Sequence, residues 1–277
     1  MDPRFQPAQA ALAAGNLPAL AALFAADPDL ATAVSSQSHP TLLQCLVLTM
    51  PPVDNLEALI DFLADHGAEL SGPLIAASGM NNVRAIAKLL DRGACIDGNG
   101  HWSPLEEALY FGNPDSVSLL LARGAPVSNL RTAAALGDMK KVASCFDETG
   151  ALTPAAGEIE WPFRPSAIPE HDRRDPRQIL GNALVHAAAW GRAEVVEFLL
   201  AHGAEVNLIP AGFDYSGTAL HYAAFGGHRE MVDQLLRQGA DPAILDTKIG
   251  KSPKDWAEHS GHHELAEYLR EVRGVSR

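Results

Sequence analysis

The stretch NALVHAAAWGRAEVVEFLLAHGAEVN, residues 182–207, decides the fold of this protein. Its first half is small and apolar and ends at Gly191. Its second half places apolar residues at helical spacing, at Val195, Val196, Leu199 and Leu200. Gly203 follows and can take the left-handed conformation that ends a helix at low steric cost. The stretch therefore predicts two short helices, the second of which presents an apolar side to a neighbouring repeat.

This two-part pattern recurs along the chain. A Gly-Ala pair follows an apolar run at six places, whose glycines are Gly67, Gly93, Gly124, Gly150, Gly203 and Gly239. The first four pairs are 26, 31 and 26 residues apart, and the last two are 36 apart. Such recurrence is the signature of a repeat architecture, in which each repeat buries its apolar side against the next.

Short motifs connect the pattern to a known family. The segments SPL (103–105), TALHYAA (218–224) and SPK (252–254) resemble the T-P-L-H-x-A-A opening of ankyrin repeats. The segment VVEFLLAHGAEVN (195–207) is similar to the second helix and hairpin of that family. The resemblance implies an all-α ankyrin-repeat solenoid of about eight helix pairs with short hairpin loops. The whole chain is most similar to bacterial single-domain ankyrin-repeat proteins.

We predict one domain over 1–277, in which the similarity to the family increases along the chain. It is weak over 8–70, clearer over 73–150 and close to the consensus over 182–273. The predicted helix pairs are 8–38, 41–70, 73–97, 103–127, 130–150, 182–207, 218–241 and 252–273.

Residues 151–180 interrupt the repeats, and they contain five prolines and no helical period. Long loops inside compact arrays are uncommon and are either functional or disordered. We expect this insertion to pack on the array through Trp161 and Phe163. The long late period also predicts an extended finger over 207–217.

Composition limits the partners that the chain can bind. The 21 Lys and Arg residues against 34 Asp and Glu residues give a formal charge of -13, and no Lys or Arg lies between Phe5 and Val83. Such a surface repels phosphate backbones, so we expect no nucleic-acid partner. The acidic N-terminal part is interpreted either as a solubilising surface or as a docking site for a basic partner.

The chain shows no signal peptide and no apolar run of the length that a membrane span needs, so we predict no membrane association. Its three cysteines, Cys45, Cys95 and Cys145, are odd in number and lie in apolar patterns. They are interpreted as reduced, buried thiols, which favours a cytoplasmic location.

The family resemblance implies that the first helices and hairpin tips line a concave, protein-binding side. Aligning the repeats on the glycine that closes the first helix places eight candidate binding residues on that side: Glu107, Tyr110, Phe111, His186, Trp190, Tyr222, Phe225 and Trp256. Asp214 and Tyr215 in the predicted finger complete the set. Aromatic side chains offer large contact area at low entropic cost, which makes them typical binding residues.

Two of these assignments have a structural alternative, because Trp190 and Phe225 could instead pack between repeats or under the insertion. His221 occupies the consensus histidine position, and the resemblance implies that it holds a neighbouring loop backbone. We expect no metal site and no cofactor, since His259 and His263 are four residues apart but are separated by Gly261 at a helix end.

The sequence therefore predicts a non-enzymatic protein–protein interaction module that binds its partner on the concave side. It contains no nucleophile elbow, dinucleotide-binding or P-loop motif, although a catalytic site could still be assembled from separate repeats. One alternative is a small-molecule-binding protein or enzyme, with a pocket between the aromatic and histidine positions and the 151–180 insertion. Another is an inhibitor whose acidic N-terminal repeats neutralise a basic partner.

Overall fold

A computed structural model describes residues 4–34, 41–49, 53–98, 100, 102–160, 173–214 and 216–275. Within these ranges the secondary structure is helical, apart from one isolated antiparallel bridge between Phe146 and Leu152. The predicted all-α class is thereby confirmed. The chain divides into two compact units, an N-terminal unit (Met1–Pro126) and a C-terminal unit (Val127–Arg277). The prediction of one continuous domain stays a prediction.

Four helix pairs form the N-terminal unit. They are α1 (Gln6–Ala13) with α2 (Leu17–Ala26), α3 (Leu42–Val47) with α4 (Leu56–Asp65), α5 (Ser71–Gly79) with α6 (Val83–Asp91), and α7 (Pro104–Tyr110) with α8 (Pro114–Ala122). The first helix of each pair packs on the first helix of the next, from α1 through α3 and α5 to α7. The second helices α4, α6 and α8 form a parallel row of contacts.

Four further pairs form the C-terminal unit. They are α9 (Leu130–Leu136) with α10 (Met139–Ala143), α11 (Pro176–Ala189) with α12 (Ala193–Ala201), α13 (Ala219–Phe225) with α14 (Arg229–Arg237), and α15 (Pro253–His259) with α16 (His263–Val275). The first helices α9, α11, α13 and α15 pack in sequence order. The eight pairs agree with the number of repeats that the sequence predicts.

Local sequence determines where the first helices begin. Thr41, Ser103, Asn129 and Ser252 each accept the backbone N–H three residues later and start a capping box. At Ser103 and Ser252 a proline follows in the first helical position, where its missing N–H costs nothing. After the second helix α12, Gly203 has a φ value of +92°, the left-handed conformation predicted for it, and Gly191 after α11 has a φ value of +65°.

The core consists of small residues on the first helices and branched residues on the second helices. Ala187, Ala188, Ala223 and Ala224 on α11 and α13 are fully buried. Burying them lets neighbouring first helices approach closely, because a methyl group is all that separates the backbones. Val196, Leu199, Val232 and Leu235 on the second helices fill the rest of the seam and are also fully buried.

Ion pairs account for every basic residue of the N-terminal unit. The pairs are Arg4 with Asp27, Arg84 with Glu57, Lys88 and Arg92 with Asp61, Arg92 with Asp65, and Arg123 with Asp91. Most of them join one second helix to the next. Residues 1–126 contain 5 basic and 13 acidic residues, so the unpaired charge of this unit is negative.

Several local predictions need correction. Helix α11 begins at Pro176, inside the predicted insertion, and Trp161 and Phe163 lie outside the described residues. The predicted finger over 207–217 lies instead against α11, where Asn182 Nδ2 donates to the Ala211 carbonyl at 3.0 Å. It folds back because Phe213 gains burial there, with 4% of its surface exposed.

The three cysteines are free, as predicted, but they are not all buried. Cys145 is buried and Cys45 is half-buried, whereas Cys95 is exposed. Cys95 follows helix α6 in a turn, so it lacks the neighbours that a helical core position would provide. In the described part of the chain, no helix is long and apolar enough to cross a bilayer.

The close approach of the first helices generates a first prediction. Ala223→Leu adds three carbon atoms at a fully buried position and should lower the free energy of unfolding by about 1–3 kcal/mol through overpacking. Urea unfolding followed by circular dichroism measures the change. Ala201→Leu, on the exposed end of α12, is the matched control and should leave stability within about 0.5 kcal/mol. Equal stability of the two variants would contradict the packing described here.

Candidate functional site

Five rings of the C-terminal unit form a continuous row across three successive first helices. We call this row the aromatic cluster; its members are His186 on α11, Phe213 in the connection to α13, Tyr222 and Phe225 on α13, and Trp256 on α15. Neighbouring centroids are 5.1 Å apart for His186 and Phe213, and 5.0 Å apart for Phe213 and Tyr222. Trp256 lies 5.2 Å from Tyr222 and 6.1 Å from Phe225.

The members of the aromatic cluster differ in their access to solvent. Phe225 is 49% exposed and Tyr222 is half-buried. His186, Phe213 and Trp256 are buried. Sequence alignment places His186, Tyr222 and Trp256 at equivalent inner positions, but of these three only Tyr222 presents substantial surface. The outer edge of the cluster is therefore formed by Tyr222 and Phe225.

Asp246 anchors the loop beneath the cluster. Its Oδ1 accepts the backbone N–H groups of Lys248 and Ile249, at 2.9 and 2.7 Å. Its Oδ2 accepts from the backbone of Lys251 at 2.9 Å and from Trp256 Nε1 at 3.0 Å. Burial opposes ionisation of this carboxyl, but these hydrogen bonds outweigh it and lower its pKa. The sequence analysis missed Asp246, although an aspartate before Thr-Lys-Ile-Gly is a recognisable turn signal.

His221 joins α13 to the same loop. Its Nδ1 accepts the Thr218 backbone N–H at 3.1 Å, so Nε2 carries the proton and donates to the Lys251 carbonyl at 3.1 Å. The ring is fully buried and packs edge-on against Trp256, with centroids 5.2 Å apart. Burial lowers the pKa of His221 to about 4. The predicted bond to neighbouring loop backbone is confirmed.

A second group of candidate residues surrounds Glu107 in the N-terminal unit. We call it the Glu107 site; it consists of Glu107, Trp102, Tyr110, Phe111 and Gly79. Trp102 Nε1 donates to Glu107 Oε2 at 2.7 Å, and Glu107 is 7% exposed. The ring centroids of Tyr110 lie 6.3 Å from Trp102 and 5.1 Å from Phe111.

Gly79 on α5 makes room for this site. A Cβ atom at that position would lie 2.9 Å from Glu107 Oε1 and 3.2 Å from Phe111 Cδ2. Burial raises the pKa of Glu107 to about 7, against the opposing effect of the Trp102 hydrogen bond. The carboxyl is therefore divided between its neutral and charged forms near neutral pH.

The remaining predicted residues lie apart from these two groups. Trp190 is half-buried, and the Arg192 guanidinium lies 5.9 Å from its ring centroid. Asp214 forms an ion pair of 2.7 Å with Lys248. Tyr215 lies outside the described residues. Among the described residues, no three His, Cys, Asp or Glu side chains lie together where they could hold a metal ion.

The helix pairs and their motifs agree with a known sequence family. The family described as "Ankyrin repeats (many copies)" matches residues 184–236, which run from within α11 through α12 and α13 into α14. Residues 184–236 are ankyrin repeats. Ankyrin repeats generally mediate protein–protein interactions. The comparison with curated proteins found no match to this chain.

The lowered pKa of His221 makes the stability of this protein depend on pH. Between about pH 6.5 and 4 the unfolded chain binds a proton at His221 that the native protein does not, so stability falls as pH decreases through this window. The loss should approach about 3 kcal/mol. Urea unfolding at pH 7 and pH 4.5 should show a smaller pH-dependent loss in His221→Gln. The exposed His259→Gln is the control and should match the parent.

Glu107 should give the opposite pH dependence. Its native pKa of about 7 exceeds the ordinary 4.5, so its stabilising contribution is complete below pH 4.5 and is lost as pH rises through 7. At pH 8, Glu107→Gln should therefore exceed the parent in free energy of unfolding by up to about 3 kcal/mol, and by much less at pH 4.5. The exposed Asp29→Asn serves as the control. A Glu107→Gln difference that is constant across this range would show that Glu107 does not titrate in this way.

Proposed function

We propose that this ankyrin-repeat protein is a non-enzymatic protein-binding module that takes its partner on the side formed by the first helices. The family resemblance makes this the concave side. The observation that carries the proposal is the aromatic cluster, a row of rings in mutual contact whose outer edge, Tyr222 and Phe225, reaches solvent.

The cluster has the physical properties of a binding surface. Tyr222 is held between Phe213 and Trp256, and Trp256 is in turn held by the carboxylate of Asp246. Rings fixed in this way lose little further freedom when a partner docks. Since Phe225 is about half exposed despite its contact with Trp256, it retains apolar area that a partner could cover.

A similar feature exists in the N-terminal unit. Phe111 lies immediately after α7 and is 48% exposed, and Phe225 lies at the end of α13 and is 49% exposed. Both residues lie at the end of a first helix and are among the candidate binding residues selected by the repeat alignment. Large aromatic residues at such places favour contact with a protein partner, since exposed clusters of them form interface hot spots. The formal charge of -13 supports a protein partner over a nucleic acid.

The small-molecule or enzyme alternative stays a prediction from the sequence. It requires the 151–180 insertion to cover the aromatic positions and so enclose a pocket. Residues 161–172 of that insertion lie outside the described part of the chain. A cytoplasmic location and a basic partner are likewise proposals, the second supported by the unpaired acidic charge of the N-terminal unit.

Affinity capture tests the proposed function. The intact protein, Phe225→Glu and Leu121→Glu are each used to capture proteins from a lysate of the source cell, and the captured proteins are quantified by mass spectrometry. A charge in place of Phe225 should reduce at least one specifically captured protein tenfold or more, because it must be desolvated in the interface. Leu121 is a 38% exposed residue on the second helix α8, and its variant should behave as the parent. Equal capture by all three proteins would contradict binding on the first-helix side.

A further inference from the structure

The first helices of the N-terminal unit are almost free of charge. The sequences of α1, α3, α5 and α7 contain no basic residue, and their acidic residues are Glu106 and Glu107. Glu106 belongs to the helix cap, since its Oε2 accepts from the Ser103 backbone at 2.9 Å and from the Ser103 hydroxyl at 3.0 Å. Of the two carboxyl groups on these helices, Glu107 is therefore the one that takes no part in a helix cap.

One oxygen of Glu107 is engaged and the other is not. Trp102 holds Oε2, and the hydrogen bonds among the described residues include none to Oε1. Oε1 lies directly over the Cα of Gly79, beside the ring of Phe111. Met80, next to Gly79, is 38% exposed, and Phe111 is 48% exposed. The free oxygen thus lies at an apolar margin, where an ionised carboxylate is costly without a cation or donor.

Every Lys and Arg of the N-terminal unit already has an acidic partner other than Glu107. Its five basic residues are all ion-paired with other acids, mostly on the second helices. The excess of acidic residues makes the unit attractive to a cationic partner as a whole. A lysine or arginine that pairs with Glu107 therefore comes from outside this unit.

We propose that Glu107 receives a lysine or arginine side chain of the partner protein, with Phe111 and Met80 contacting the aliphatic stem of that side chain. This inference rests on the proposed protein-binding function. The cation binds Oε1 while Trp102 continues to hold Oε2. When Glu107 carries a proton before binding, that proton passes to the solvent as the cation enters. Apolar contact with the stem and charge pairing with the head match the two chemical parts of a lysine or arginine.

Proton release gives the site a distinctive pH dependence. Because burial raises the pKa of Glu107 to about 7, binding below that pH must displace a proton, and affinity should fall about tenfold for each further pH unit. The neighbouring carboxyl groups of Glu106 and Asp115 are engaged in other hydrogen bonds. Helix α5 carries no titratable side chain, Glu106 is in the cap, and Asp115 on α8 accepts from Asn81 Nδ2 at 3.1 Å.

Peptide selection tests the proposal with a defined probe. Random 12-residue peptides displayed on phage are selected against the intact protein at pH 8, and the retained peptides are synthesised. Each is also made with its Lys or Arg replaced by norleucine or citrulline, which removes the charge. Dissociation constants are measured for the parent, Glu107→Gln, Asp29→Asn and Phe225→Glu between pH 5 and 8. Circular dichroism confirms that the variants are folded.

The proposal expects selected peptides that share a Lys or Arg beside apolar residues. Their affinity should drop at least tenfold with the uncharged peptide or with Glu107→Gln, but not with Asp29→Asn, and the pH dependence should disappear in Glu107→Gln. Peptides whose affinity is reduced by Phe225→Glu but is unchanged by Glu107→Gln would overturn this inference and leave the proposed function intact. Peptides indifferent to both changes, or no retained peptide, would count against both.

Discussion

The rest of this structure depends on the close packing of short, alanine-rich first helices. Ala187 and Ala188 on α11 face the same kind of surface as Ala223 and Ala224 on α13, and all four are fully buried. A single helix pair cannot bury its apolar side alone, so each pair is stabilised by its neighbours within its unit. Close approach of the first helices also brings side chains of successive repeats to within ring-contact distance. The aromatic cluster is a direct result.

Two buried polar side chains of the C-terminal unit, Asp246 and His221, are bound by the backbone of a loop. Asp246 and His221 connect the loop before α15 to α13 and to Trp256. The hydrogen-bond donors around Asp246 lower the pKa of its carboxyl, whereas burial lowers the pKa of His221 and keeps its ring neutral, although the Lys251 carbonyl opposes this. The same network therefore fixes the loop and orients Trp256, on which the half-exposed rings of Tyr222 and Phe225 rest.

Glu107 illustrates a different solution in the N-terminal unit. It occupies the repeat position that Tyr222 occupies in the C-terminal unit, but among the described residues its carboxyl has one donor, Trp102. Its burial is made possible by the missing side chain of Gly79 and is balanced by a raised pKa. Stability and recognition compete at such a site. The folded protein favours the neutral carboxyl, whereas a bound cation favours the ionised form.

The sequence by itself determined the helix pairs, their approximate number and the role of His221. These follow from local signals: helical apolar spacing, capping residues such as Ser103 and Ser252, and left-handed glycines such as Gly191. Which inner residues reach solvent was decided by the tertiary structure alone. His186 and Trp256 share a repeat position with Tyr222, yet they are buried, because Phe213 folds back onto α11 and Asp246 draws the indole inward. The exposure of a side chain depends on neighbours from distant parts of the chain, and a repeat alignment contains no information about how those neighbours pack.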